Sequence, residues 1–246
     1  MGKGNIYSTH QIAKHSGVCA NTVRNYEKYG FISKSKRARN GYRIFTDVHK
    51  LQMTICRLVF SPPYINSLIR KASKEVIYAA AKEDFSLCKE QTAKYIKAIE
   101  NERTKANEAV IALANFCNPK KNKNNDIYYD RKEASAIIGS TVETIRNWER
   151  NGLIFSTKRN NKNVYDKREM DFMRLIYILL IGGFGIEKIY YSFMFLRDSQ
   201  NEQALEALCD SHDYIDIDNI GKNIIEKMAK VSISAHKIKE LLEKNI

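Results

Sequence analysis

Two arginines hold the third place in two nearly identical phrases, TVRNYEKYGFI from Thr22 and TIRNWERNGLI from Thr144. A guanidinium fork makes paired hydrogen bonds to phosphate oxygens, so Arg24 and Arg146 suit contact with an anionic backbone. Just beyond the first phrase, Lys34, Lys36, Arg37 and Arg39 crowd into SKSKRARNGYRIF; Lys158, Arg159 and Lys162 stand in the corresponding STKRNNKNVY. Basic clusters of this kind fit phosphate contact, whose strength comes from counterion release. Asn21 and Thr22 in the first copy, and Glu143 and Thr144 in the second, lie where side chains would reach base edges. A carboxylate such as Glu143 repels phosphate yet accepts from the amino group of cytosine. No phosphate-cradling glycine loop and no clustered Ser/His/Asp or Cys/His set accompanies these residues. Binding without a cofactor is therefore expected, and an enzyme is not. Cys209 and His212 have C-x-x-H spacing, but a structural zinc site needs two further ligands.

The net charge is +13, and it is unevenly spread. Residues 1–70 carry 12 Lys and Arg against 2 Asp and Glu, a net of +10; residues 127–197 carry 12 against 8, a net of +4. Charge concentrated in one segment is the footprint of a polyanion partner, which the helix pairs described below narrow to double-stranded DNA. The 5 cysteines are widely spaced, which implies no disulfide framework and fits a reducing cytosol. The N-terminus lacks the apolar stretch of a signal peptide. LIYILLIGGFGI from Leu175 falls well short of the roughly 20 residues needed to span a bilayer, so it reads as a core helix, and no membrane partner is expected.

The elements that must carry the arginines follow from local signals. Ser8-Thr9-His10-Gln11 has the form of a capping box that starts a helix. Gly17 marks a turn, and a second helix runs through Thr22, Val23 and Tyr26 to a stop near Gly30. In the second copy Asp130-Arg131-Lys132-Glu133, Gly139 and Gly152 take these places. Two short helices joined by a tight turn form a helix-turn-helix, whose second helix can enter the major groove. Asn40-Gly41 between β-prone residues predicts a hairpin; beside the helix pair it would be a basic wing. Asp47 to Phe60 and Pro62 to Lys71 read as two further helices, as do Asp166 to Ile181 and Gly185 to Arg197. The joints are Phe60-Ser61 and Phe184-Gly185. Tyr26 and Trp148 read as packing residues, with Tyr26 also able to reach phosphate. Tyr190, Tyr191, Phe193 and Phe195 could be core or could line an effector pocket.

With these features the sequence resembles the MerR family of bacterial transcription regulators. The resemblance rests on the T-h-R-x-[YW]-E-x-x-G-h-I phrase, the NGYRIF wing and the FS/FG joint. It covers about residues 5–70 and again 127–197. It implies that Arg24 and Arg146 contact the DNA backbone, that Arg43 is the wing arginine, and that the NGYR wing containing Tyr42 grips the duplex. It also implies binding between promoter elements with distortion of the spacer, and RNA polymerase as a further partner. The family usually has an aromatic residue where Asn25 and Asn147 stand. Metal-sensing relatives carry a cysteine pair near the end of the long helix, where only Cys117 lies here. MerR-like heads also occur in recombination accessory and chromosome-organising proteins, which sets the alternative function.

The duplication suggests a further level of organisation. Phe85, Thr92, Ile99, Ala106 and Leu113, with Cys88, Tyr95, Glu102, Ala109 and Phe116, form heptad ladders. Ile217, Ile224, Val231 and Ile238, with Ile220, Met228, Ala235, Leu241 and Leu242, form another. The expected fold is mainly α: two winged helix-turn-helix domains, each followed by a long helix, the two helices forming an antiparallel coiled coil. The expected boundaries are 1–71 for the first winged domain, 72–117 for its long helix and 118–126 for a linker. The second winged domain then takes 127–197 and the C-terminal helix 198–246. A helix from Phe85 to Phe116 spans about 48 Å at roughly 1.5 Å per residue. The ten residues NPKKNKNNDI from Asn118 reach about 33–36 Å at most, enough to enter the second head beside the far end of that helix. The chain therefore reads as a covalent pseudo-dimer, with a homodimer as the alternative, and its two halves are free to diverge.

Overall fold

The computed structural model describes residues 5–116, 127–198 and 217–245. The chain forms two compact units, one of residues 1–101 with 227–246 and one of residues 102–226. The expected linker 118–126, Cys117, Cys209 and His212 lie outside the described residues.

In the first unit, β1 (Ile6–Tyr7) leads into α1 (Thr9–Ser16) and α2 (Ala20–Lys28). Ser8 and Gln11 close the predicted capping box, with Ser8 Oγ accepting from Gln11 N at 3.2 Å and Gln11 Oε1 from Ser8 N at 2.8 Å. Gly17 takes the left-handed conformation that ends α1 (φ 62°). Strands β2 (Lys36–Arg37) and β3 (Arg43–Thr46) form the wing, and β1 pairs with β3 to give the antiparallel order β1-β3-β2. Ile12, Val23, Ile32, Phe45, Met53, Ile55 and Cys56 close the core beneath the helix pair. Each apolar side chain removed from water this way contributes about 1.5–3 kcal/mol.

Helix α3 spans Asp47–Phe60 and α4 spans Ser67–Ala81. The fourth helix thus opens at Ser67 and not at Pro62, and it runs beyond Lys71. Its N-cap is Asn66, whose side chain accepts from Ile69 N at 2.9 Å. Pro63 disfavours the helical region for Pro62 before it, so the chain stays irregular until that cap. The joint that matches Gly185 is therefore Asn66, since Arg70 N bonds Asn66 O as Ile189 N bonds Gly185 O. The long helix α5 consequently begins at Phe85 and runs to Phe116.

The second unit repeats the pattern with β4 (Tyr129–Asp130), α6 (Arg131–Ile138), α7 (Val142–Arg150), β5 (Thr157–Arg159) and β6 (Lys162–Tyr165), then α8 (Lys167–Ile181) and α9 (Ile186–Asp198). Its sheet order is β4-β6-β5. Asn160 and Asn161 both have positive φ (47° and 60°), so an Asn-Asn pair makes the tight hairpin turn without glycine. The apolar run from Leu175 packs as core, with Leu175, Ile176, Ile178 and Leu179 buried. Among the described residues no helix is long and apolar enough to cross a membrane.

The last helix, α10 (Ile217–Asn245), completes the fold. On α5 the buried positions are Cys88, Thr92, Tyr95 and Ile99 in the first unit, and Glu102, Ala106, Ala109 and Ala112 in the second. On α10 they are Ile224 in the second unit, and Met228, Val231, Ala235, Ile238 and Leu242 in the first. Steps of three and four place each set on one stripe of its helix. Phe85 and Leu241 are half-buried; the side chains of Leu113, Phe116, Ile217, Ile220 and Phe195 lie outside the description.

Candidate nucleic-acid interface

Helix α2 is anchored by one buried residue, Val23, which turns the opposite side of the helix outward. Asn21 and Arg24 are exposed there, and Thr22 is half-buried. Cys19, the N-cap, lies with its Sγ 3.2 Å from Thr22 Oγ1, and this hydrogen bond holds the thiol below its ordinary range. Among the described residues Arg24 makes no ion pair. Tyr26 is part of an aromatic cluster, its ring 5.7 Å from those of Phe31 and Phe60.

The wing next to α2 presents Lys36, Arg37, Arg39 and Tyr42 to solvent, with Tyr42 74% exposed. Ala38 N bonds Tyr42 O at 2.8 Å and Arg37 Nη1 donates to Gly41 O at 3.2 Å, which stiffens the tip. Gly41 sits there at φ 79°. Arg43 turns inward. Its Nε donates to Glu27 Oε2 at 2.5 Å, with the two side chains 25% and 11% exposed. Glu27 Oε1 also accepts from Ser35 N and Ser35 Oγ at 2.9 and 2.5 Å. Burial alone would raise the Glu27 carboxyl, but the bonds from Ser35 and Arg43 outweigh it and hold the group below its usual value. Glu27 therefore ties both edges of the wing to α2.

In the second copy Thr141 Oγ1 caps α7 by accepting from Thr144 N at 3.0 Å, and Thr144 is half-buried. Glu143 and Arg146 are exposed and joined at 3.1 Å; Arg150 reaches the same carboxylate at 2.9 Å. The hydrogen bond from Arg146, then that from Arg150, holds the Glu143 carboxyl below its ordinary value. Trp148 is 1% exposed, a core residue. Lys158 and Lys162 are exposed on the second wing, while the Arg159 guanidinium stacks 3.4 Å from the Tyr128 ring centroid.

Strand register aligns Asn163 with Arg43, so β6 has no arginine at that place to offer Glu149, the counterpart of Glu27. Its partner comes instead from α6. Arg131 Nη2 donates to Glu149 Oε2 at 2.6 Å, and Arg131 Nε donates to Tyr165 OH at 3.3 Å. The ion pair keeps its place while its cation changes element. Sequence reasoning assigns no role to Glu27, Glu149, Arg131, Arg150 or Tyr128. The available signal is a glutamate repeated at one place in both phrases, on an otherwise basic surface.

Two family models match the chain. The model for the MerR family regulatory protein covers residues 8–45, and that for the MerR HTH family regulatory protein covers residues 129–191. The HTH-type transcriptional regulator CueR of Escherichia coli O157:H7 is 27% identical over 110 residues, which are 43% of this chain and 79% of that protein. The chain belongs to the MerR family, with two MerR-type domains in tandem. No solved structure matches it. The two matched stretches of this MerR-family regulator take in both helix pairs and both wing hairpins.

Proposed function

We propose that this MerR-type regulator acts as a single-chain pseudo-dimer that binds promoter DNA with two unequal heads and distorts the duplex between them. One observation carries the reading: the C-terminal part of each long helix shares its unit with the head that the helix does not follow. Residues 102–116 of α5, the helix after the first head, belong with the second head, where Tyr177 OH donates to Glu102 Oε2 at 2.8 Å. Residues 227–245 of α10, the helix after the second head, belong with the first, where Val231 borders the same small hollow as Ile65, Ile69 and Tyr95. Exchange of long helices between heads is what an antiparallel pair built from one chain requires.

The inequality of the heads is supported by their ion pairs. Arg24 is exposed without one among the described residues, whereas Arg146 and Arg150 share Glu143 and Arg159 stacks on Tyr128. Cations already neutralised within the protein release fewer counterions on binding. RNA polymerase is the partner through which distortion of promoter DNA would act.

Selection from a randomised duplex library, followed by footprinting and transcription with purified polymerase, tests this. The expected site is an imperfect inverted repeat bound in one orientation, with transcript levels changed by the protein. Recovery of a perfect palindrome, with Arg24→Ala and Arg146→Ala equally harmful, would remove the specialisation of the heads. Recombination control without any effect on transcription would replace the regulatory reading.

A further inference from the structure

Lys105 of α5 lies across the turn of the second helix pair. Its Nζ donates to Glu102 Oε1 at 2.8 Å and to Tyr177 OH at 3.2 Å, and stands 4.7 Å from the Tyr177 ring centroid. Tyr177 in turn donates to Glu102 Oε2, so the three groups close a ring of hydrogen bonds around a carboxylate only 3% exposed. One turn further along α5, Glu108 pairs with Arg174 at 3.6 Å, and Arg174 also holds Asp171 at 2.9 Å. All of these residues belong to the second unit.

The same lysine closes over Gly139, the left-handed residue between α6 and α7. A Cβ at Gly139 would stand 2.8 Å from Lys105 Cε and closer still to Nζ. At Gly17, the matching turn of the first head, a Cβ would meet nothing within 4 Å. The turn of one helix-turn-helix is covered by a lysine side chain from a long helix, and at the other the matching glycine is open.

A buried ion pair adds little net stability over an apolar contact of the same size, because desolvation consumes most of the attraction. Its distinguishing property is direction: hydrogen bonds weaken steeply off axis, whereas apolar contact is non-directional. Glu102 stands on one stripe with the buried Ala106, Ala109 and Ala112, so stability alone would favour an apolar residue there.

We propose that Glu102, Lys105 and Tyr177 form a positioning clamp that fixes the tilt of the second helix-turn-helix against α5, and through it the half-site separation that the chain accepts. The proposal rests on the two-headed reading above. In a two-headed binder, a head held at one angle accepts one separation, whereas a head free to rock accepts several.

The test compares the unaltered 246-residue chain with the triple variant Glu102→Leu, Lys105→Met, Tyr177→Phe, which replaces the polar ring by apolar groups, and with Tyr177→Phe alone, which removes only the hydroxyl. Duplexes are selected from a randomised library with each protein, and thermal melting is recorded in parallel. The unaltered chain should recover two half-sites at one separation. The variants should melt as cooperatively and recover the same half-site sequences, but at separations spread by a base pair or more. They should bind the preferred duplex of the unaltered chain about tenfold more weakly, as expected when about a tenth of the population holds the required angle. A folded variant that keeps the single separation overturns the clamp, and if the triple variant fails to fold the hydroxyl deletion decides. If the unaltered chain itself recovers only an unpaired half-site, the two-headed reading falls, and the clamp's role in separation falls with it.

Discussion

Replacing Arg43 and Glu27 together, as Arg43→Ala with Glu27→Gln, separates two roles that the wing arginine could have. Sequence alone suggests that Arg43 neutralises a phosphate, in which case its loss should flatten the salt dependence of binding as the loss of Arg24 does. The structure points elsewhere, because the guanidinium is held against Glu27 at 2.5 Å and the pair carries no net charge. Each phosphate neutralised contributes a slope of about −0.9 in log affinity against log salt. Arg24→Ala should therefore remove about 0.9 of slope, which over a fourfold rise in salt is a difference of roughly 3.5-fold in affinity. The double variant should leave the slope unchanged, because it removes one positive and one negative charge. The side-chain amide introduced by Glu27→Gln still accepts from Ser35, so the first head should lose only the charged component, about 1–2 kcal/mol after allowance for a quarter-exposed arginine. Affinity should drop by the same factor at every salt concentration, reflecting a loosened wing. Fluorescence anisotropy titrations on a labelled duplex, between about 50 and 200 mM salt, measure both quantities. A slope reduced by about 0.9 in the double variant would show that Arg43 contacts phosphate itself and would refute the reasoning.

Two other outcomes follow from particular side chains. Burial holds His49 below its ordinary value of 6.5, against the opposing pull of Glu83 and Glu27, and its Nδ1 accepts from Thr46 N at 3.1 Å. The unfolded chain therefore takes up a proton at pH values where the fold resists it, so the first head should lose stability as pH falls below 6.5. His15, also held low by burial, adds in the same direction. Melting curves of the unaltered chain and of His49→Gln should diverge below that pH, and parallel curves would contradict the assignment. Removing the charge of Glu143 by Glu143→Gln frees Arg146 and Arg150, so binding to random duplex should strengthen and its salt slope should steepen by about 0.9. Competition against unlabelled random DNA reads this, and unchanged non-specific affinity would show that those arginines do not face the duplex.

Local patterns make most of the fold legible. The capping boxes at Ser8 and Asp130, the turn glycines Gly17 and Gly139 and the hairpin signal at Asn40-Gly41 each depend on neighbours within a few residues, and each reading matches the structure. Sequence misplaces the start of the fourth helix because proline suits a first helical turn, whereas the actual cap, Asn66, lies beyond the Pro-Pro pair. The second wing lacks a glycine, yet Asn160 and Asn161 supply the positive φ values. The candidate interface is legible as residue types and not as partnerships. Glu27 meets Arg43 across 16 residues, Glu149 meets Arg131 across 18, and Glu102 meets Tyr177 across 75. No local rule reports such pairs, least of all where the cation has moved from a wing to a helix. Trp148 reads as core from its lack of a hydroxyl, and it is buried.

The central claim is that one chain supplies both heads, and the mass of the protein alone and on its selected duplex tests it most directly. Light scattering on the 246-residue chain should give the single-chain mass of 28.4 kDa, unchanged by dilution, and the complex should contain one chain per duplex. A stable dimer bearing four heads, free or on DNA, would contradict the single-chain pseudo-dimer.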